Sequence, residues 1–272
     1  MLTAPAALAD LFTPESGGSR NADEIDSLYK IILVIAIVIF AIVLGSLVYC
    51  LVRYRAGRGH EPQQIHGNTR LEIGWTIGAA LILVVLATVT FAKLDAIQNP
   101  PESDAAGYSA SKNVMVANSR RRLPPSGRSL NVCVNGQQYV WRYTYASDCK
   151  NHPVDAVFSY EEMVVPVATT VTLDIDGQDV AHSWWIPKLG PKFDAVPGYT
   201  NYSWFKVPED AAGSVFTGQC AEFCGLNHAN MTARVRAVTV DQFERWLAAQ
   251  KAAIRAGNNA AAQERRRLEG EE

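Results

Sequence analysis

From Ile31 to Val52 the chain reads IILVIAIVIFAIVLGSLVYCLV, without one charged side chain. A run longer than the ~20 residues that cross a bilayer can satisfy its backbone polar groups there only as a helix. Asp26 or Ser27 is placed to cap that helix, which is expected over Leu28–Leu51. Cys50, near its far end, reads as a small apolar packing residue. A second run, EIGWTIGAALILVVLATVTFA over 72–92, puts Trp75 at headgroup level and Lys93 where it can snorkel. Arg53, Arg55, Arg58 and Arg70 crowd the connection, while Asp23, Glu24 and Asp26 flank the first span on its other side. By the positive-inside rule, loop 53–71 is cytoplasmic and the N-terminus lies outside. A helical hairpin over 28–93 then returns the chain to the periplasmic or external face of a bacterial-type plasma membrane.

The flanking segments are less constrained. Residues 1–27 read as an external lead-in, polar from residue 10 onward. Ala7-Leu8-Ala9 has the small-residue pattern of a signal cleavage site, but no long apolar region precedes it. Residues 1–9 are therefore read either as the remnant of a signal peptide, with the mature chain starting near Asp10, or as a disordered tail. Segment 94–128 is rich in Pro, Ser, Asn, Asp and Arg and reads as a linker or surface excursion. Short basic runs such as Arg120–Arg122 suit a solvated surface. A net charge of −2 points to no nucleic-acid partner.

From Ser129 the pattern changes to short runs of β-branched and aromatic residues. SLNVCV, Asn135-Gly136 and QQYVWRYTY give a hairpin signal, with a type I′ turn expected at Asn135-Gly136. Further strands are expected at 161–166, 169–175, 200–206, 213–217 and 231–239, which makes a sandwich or barrel over 129–240. Asp241 and Glu244 are spaced as a capping box. They would open an amphipathic helix, FERWLAAQKAAIRA, with a disordered tail completing 241–272. Of five cysteines, Cys133 and Cys149 lie on the oxidising side, where a bridge is favoured over two lone thiols. In the expected hairpin register, however, Cys133 would face a residue near Gln138. The bridge therefore needs the loop through Asp148 to Pro153 to fold back.

The chemistry concentrates in CAEFCGLNHANM, Cys220 to Met231. Thiolate, imidazole and thioether together suit copper, and a weak axial Met marks electron-transfer copper sites. A mononuclear loop needs one cysteine, whereas Cys220 and Cys224 are two, four apart, and are able to bridge two metal ions. Each metal then needs a histidine. His228 supplies one, and His182, in DVAHSWWIP on what reads as a separate loop, is the candidate for the other. Structural zinc competes, but zinc has no use for the Met231 thioether. A Cys220–Cys224 disulfide competes as well. A single helix face does not fit, because Gly218, Gly225 and Asn227 are turn residues. The chain carries no CxxCH motif for covalent haem, so electrons must come from an external donor.

CAEFCGLNHANM, with DVAHSWWIPKLGPKFDAVPG upstream, closely resembles the CuA domain of cytochrome c oxidase subunit II, and the resemblance runs from about Leu11 to Trp246. It implies two membrane helices followed by an all-β, cupredoxin-like Greek-key barrel. It also implies a mixed-valence dicopper centre that takes electrons from a c-type cytochrome and passes them to the haem of subunit I. Oxygen reduction and proton pumping then belong to the complex, with subunits I and III as partners. In this resemblance Cys220 and Cys224 are bridging thiolates, His182 and His228 each bind one copper, and Met231 is a weak axial ligand. The Glu222 backbone carbonyl is the other weak ligand, and the Glu222 side chain helps hold a magnesium ion at the contact with subunit I. Which histidine shares a copper with Met231 stays open. Asp179 falls where the family has a residue near the donor surface and the metal, with a capping turn residue as the plainer reading. Trp184 and Trp185 read as core or interface aromatics.

One position departs from the family. Its G-x-Q-W-x-W segment, whose first tryptophan receives electrons from cytochrome c, reads here Gly136-Gln137-Gln138-Tyr139-Val140-Trp141. Tyr139 and Trp141 are thus the candidates for electron arrival. The smaller Tyr139 face points to a dedicated, membrane-anchored or complex-bound c-type haem donor. A quinol oxidase subunit that has lost its copper ligands is disfavoured, because the ligand positions are all filled. A membrane-anchored copper-binding or copper-delivery module without oxidase activity is the alternative of another class.

Overall fold

The computed structural model describes residues 13–55, 64–108 and 123–269. The candidate signal remnant 1–9, Arg58 in the connecting loop and the Arg120–Arg122 run lie outside the described residues. Asp26–Asp95 belongs to one compact unit, and Pro14–Ile25 with Ala96–Glu272 to a second.

Helix α1 runs Arg20–Arg53 and α2 runs Thr69–Gln98, both longer than the expected spans. The first helix starts earlier because the end of the polar lead-in, from Arg20 on, is itself helical, with Asp23 N–H bonding Ser19 O and an acid in the first turn. Asn68 caps α2, its side chain accepting Leu71 N–H while Glu72 accepts Asn68 N–H. The apolar windows have mean hydropathies of 3.4 and 2.3, and none of their residues is buried by protein. Helices of this length and apolar surface suit a membrane span.

The described end of the lead-in is not free. In the second unit, Asn21 is buried, its Nδ2 donating to Trp204 O at 2.8 Å, and Ser19 Oγ accepts Lys206 N–H. The Trp204 indole donates to Ile97 O at 3.0 Å. Nor is the described start of the expected linker loose. Thr170 donates to Pro101 O and Ser103 Oγ, and Tyr108 N–H bonds Thr169 Oγ1.

Among the described residues, ten strands form two five-stranded sheets. The first sheet has the order β3 (Phe158–Tyr160), β2 (Val140–Thr144), β1 (Leu130–Gln137), β5 (Thr170–Gly177), β8 (Asn201–Lys206). The second has the order β4 (Glu162–Pro166), β10 (Thr232–Val238), β9 (Val215–Cys220), β6 (His182–Trp185), β7 (Phe193–Ala195). Their inner faces share one core that includes Trp141, Trp184, Phe205 and Met163, a cupredoxin-like sandwich.

The hairpin turn is not at Asn135-Gly136. Both residues are in β1, paired with Arg142 and Trp141, and the chain turns at Gln138-Tyr139. Packing overrides the local turn signal here. A Cβ on Gly136 would stand 2.9 Å from the Trp141 ring and 3.1 Å from the His182 ring, so glycine is needed for close approach. The shift also corrects the register, since Cys133 pairs with Thr144 and not with a residue near Gln138. The following loop folds back, closed by Tyr145 N–H to Val157 O, and Cys133 is bridged to Cys149 with Cα atoms 5.5 Å apart.

Helix α3 spans Val240–Glu269. Its capping pair is Thr239 and Gln242, each side chain accepting the other's N–H, because Asp241 already lies inside the helix. Phe243 and Trp246 pack on Tyr108 and Tyr145. The expected disordered tail is helical as far as Glu269; its alanines, glutamates and arginines are strong helix formers that outweigh Gly257.

Candidate metal centre

The ligand candidates come from neighbouring strands of the second sheet. His182 opens β6 and is not on a loop, because HSWW has the aromatic character of a strand and pairs with β7 and β9. Trp184 pairs with Cys220, the last residue of β9, and Ala221 N–H bonds Ser183 O at 2.9 Å. The chain then leaves the sheet, passes a 3-10 turn over His228–Asn230 and re-enters at β10. Cys220 N–H bonds Met231 O at 2.9 Å, closing the loop at its base.

This folding brings the donors together. Cys220 and Cys224 place their sulfurs 3.9 Å apart. His182 Nδ1 lies 3.9 Å from the Cys220 sulfur, and His228 Nδ1 lies 3.6 Å from that of Cys224. Met231 Sδ is 3.9 Å from Cys224 Sγ, and Glu222 O is 3.2 Å from Cys220 Sγ. His182, Cys220, Cys224 and Met231 are buried, whereas the Glu222 side chain is exposed. The donor atoms of His182, Cys220 and Cys224 all lie within 4.8 Å of one another.

The electrostatics favour a bound cation. Burial first, then the neighbouring Cys220, pushes the Cys224 thiol up to about 11. Two buried thiols this close ionise together only against a metal charge, so metal uptake displaces their protons and weakens as pH falls. Asp179 supports the His182 side. Its Oδ1 lies 2.8 Å from His182 Nε2, fixing that nitrogen as the donor and leaving Nδ1 free to face the sulfurs. Desolvation works against the Asp179 carboxylate, but Gln138 N–H, the His182 ring and Val180 N–H outweigh it and hold its pKa low.

Of the candidates for electron arrival, Trp141 is fully buried, with its ring edge-on to His182 at 5.9 Å between centroids. Tyr139 sits at the hairpin tip, its hydroxyl accepting Leu226 N–H at 3.1 Å. Trp184 is in the core, stacked on Phe205, and Trp185 carries Lys192 over its ring. Sequence reasoning passed over Gln138, whose amide donates to Cys224 O at 2.8 Å. The residue was in view within the Gly136–Trp141 segment, but only the corrected turn brings it to the metal loop.

A β-sandwich that anchors through two apolar helices and gathers two thiols, two imidazoles and a thioether defines a membrane-bound, cupredoxin-like metal protein. Residues 8–92 match the family described as cytochrome c oxidase subunit II, transmembrane domain, and residues 148–238 match its periplasmic domain. Cytochrome c oxidase subunit 2 of Cereibacter sphaeroides is 30% identical over 272 residues, 86% of this chain and 80% of that protein. The protein of the same name from Alkalihalophilus pseudofirmus is 32% identical over 226 residues. That match takes in 81% of this chain but only 55% of the relative. The crystal structure of the periplasmic domain of cytochrome oxidase subunit II from Bradyrhizobium japonicum is 31% identical, with a TM-score of 0.41. It covers 46% of this chain and 95% of that one. The chain belongs to the cytochrome c oxidase subunit II family. Copper is the metal that the family implies, and the soft, buried donor set fits it.

Proposed function

We propose that this chain is the electron-accepting subunit of a haem-copper oxidase, holding a dinuclear copper centre on the outer face of the membrane. The observation that carries the proposal is the convergence of donors from Cys220, Cys224, His182, His228, Met231 and the Glu222 carbonyl on one buried spot. Cys220 and Cys224 would hold the metals through their thiolates and His182 and His228 through Nδ1, with Met231 Sδ and Glu222 O as weaker donors. When bound, such a copper pair supplies one-electron transfer with small reorganisation. The protein's part is to keep the donors fixed, with His182 and Cys220 anchored on paired strands and solvent excluded by the core.

A c-type haem protein delivers electrons at the Tyr139 tip, and the haem of subunit I receives them. Oxygen reduction and proton pumping follow in the complex, to which subunit III also belongs. The exposed Glu222 carboxylate, a hard oxygen ligand, helps hold magnesium at the subunit I contact. The N-terminus lies outside with the β-domain. Docking of Ser19 and Asn21 onto Lys206 and Trp204, just before the first span, supports that orientation.

The test is metal analysis and EPR of the purified full-length protein. Two coppers per chain with one unpaired electron shared over both are expected, and a single zinc without copper overturns the proposal. Co-purification with a haem-bearing subunit separates an oxidase subunit from a copper-delivery module.

A further inference from the structure

The hairpin tip Gln138-Tyr139 comes from the first sheet, whereas every candidate metal ligand is carried by strands of the second sheet or the loop between them. Three hydrogen bonds cross from that tip to the site. Gln138 N–H donates to Asp179 Oδ2 at 2.7 Å, and the other oxygen of that carboxylate lies 2.8 Å from His182 Nε2. The Gln138 side-chain amide donates to Cys224 O at 2.8 Å, and Tyr139 Oη accepts Leu226 N–H at 3.1 Å. Contact is so close that a Cβ on Gly225, at φ 125°, would lie 2.7 Å from Tyr139 Oη and 3.0 Å from Gln138 Nε2.

We infer that Gln138 is a positioning residue for the metal centre, gripping the histidine side through its backbone and the cysteine loop through its side chain. This inference rests on the dicopper reading above. Cys224 O belongs to the peptide that joins Cys224 to Gly225, and the thiolate hangs from the same residue. Fixing that peptide fixes the direction of the sulfur, and with it the start of the turn that carries His228. Within the described residues, no other side chain is bonded to the Cys224 carbonyl. The grip on Asp179 uses a backbone N–H, so substitution at 138 releases only the cysteine half.

The test uses full-length, copper-loaded protein as wild type, Gln138→Ala, Gln138→Glu and the neighbouring control Gln137→Glu. Glutamate keeps the shape of glutamine but in its ionised form accepts only, so it cannot donate to Cys224 O. Its added negative charge favours retention of a cation, so faster copper loss in this variant runs against its own electrostatics. Outer partners of metal ligands typically contribute 10–100-fold in metal affinity. Copper release to a competing chelator is expected to speed up about 10-fold or more in both 138 variants, with an altered EPR pattern. Gln137→Glu should match wild type, and metal-free melting should be the same in all four.

Wild-type release and spectrum in Gln138→Glu overturn the inference, as does an equal change in Gln137→Glu, which would make the effect one of charge. If Gln138→Ala fails to fold, the shape-preserving Gln138→Glu decides alone. Failure of the dicopper reading would look different, because wild type itself would then lack the two-copper signal.

Discussion

The loop from Cys220 to Met231 has two faces with opposite demands. Its inward face is sulfur, with Cys220, Cys224 and Met231 under protein cover beside the buried His182. Its outward face carries Glu222, Phe223, which is 78% exposed, and Leu226, which is 100% exposed. On the proposed reading, the same dozen residues hold metal on one side and offer a meeting surface on the other. Substitutions on the inner face should change what is bound. Those on the outer face should change what docks and leave the metal alone.

The sharpest way to break this division is at the bridging sulfurs. Cys220→Ser or Cys224→Ser should abolish the shared-electron EPR signal entirely, because a hydroxyl cannot replace a thiolate bridging two metals. A shared-electron signal surviving in either variant would sink the dinuclear assignment. Next comes Met231, also buried, and in the proposed centre a weak axial donor. Met231→Leu conserves volume, so it should cost less than about 1.5 kcal/mol of stability. Copper should stay bound while the reduction potential moves on the order of tens of millivolts, as axial ligands tune it. An unchanged potential by redox titration would remove Met231 from the ligand set.

How far the sequence carries differs sharply between these parts. The two spans are legible from composition alone, since an uncharged run such as Ile31–Val52 has few stable alternatives to a membrane helix. The ligand loop is legible because its chemistry is local, with Cys220, Cys224, His228 and Met231 within twelve residues. The hairpin tip is not legible in that way. Asn135-Gly136 is a strong turn signal, yet the chain runs straight through it, because Trp141 fills the core against Gly136 and the His182 ring. Only that tertiary contact moves the turn to Gln138-Tyr139, lets Cys133 reach Cys149, and sets the Gln138 amide on the Cys224 carbonyl. The α3 cap failed for a related reason. Asp241/Glu244 and Thr239/Gln242 both have the required spacing, and burial of Phe243 starts the helix at the second pair.

Tyr139 stands between the two faces, holding Leu226 N–H with its hydroxyl while its ring lines the tip. Tyr139→Ala removes an aromatic contact worth ~0.5–1.5 kcal/mol, so reduction by the natural donor should slow roughly two- to twelve-fold in stopped-flow. Tyr139→Trp enlarges the face offered to a haem edge and should raise turnover with a generic soluble cytochrome c. That variant also loses the bond to Leu226, so its copper spectrum must be checked alongside. Wild-type rates for both variants with every donor would make Tyr139 a plain turn residue.

The smallest expected effect on copper belongs to Glu222, and it tests the outward face most cleanly. The Glu222 carbonyl points at the Cys220 sulfur at 3.2 Å, whereas its carboxylate is exposed. Glu222→Gln keeps the backbone and the side-chain shape and removes only the charge. The copper EPR and visible spectra should therefore stay within measurement error of wild type. What should change is the hard-cation site proposed at the subunit I contact, because a neutral amide is a weaker ligand for Mg²⁺ or Mn²⁺ than a carboxylate. In the assembled oxidase, with Mn²⁺ as the probe, the manganese EPR signal should weaken or vanish while two coppers per chain remain. Loss of copper in a variant that keeps its fold would show that the Glu222 carboxylate serves the inner face, and the two faces would then not be separable.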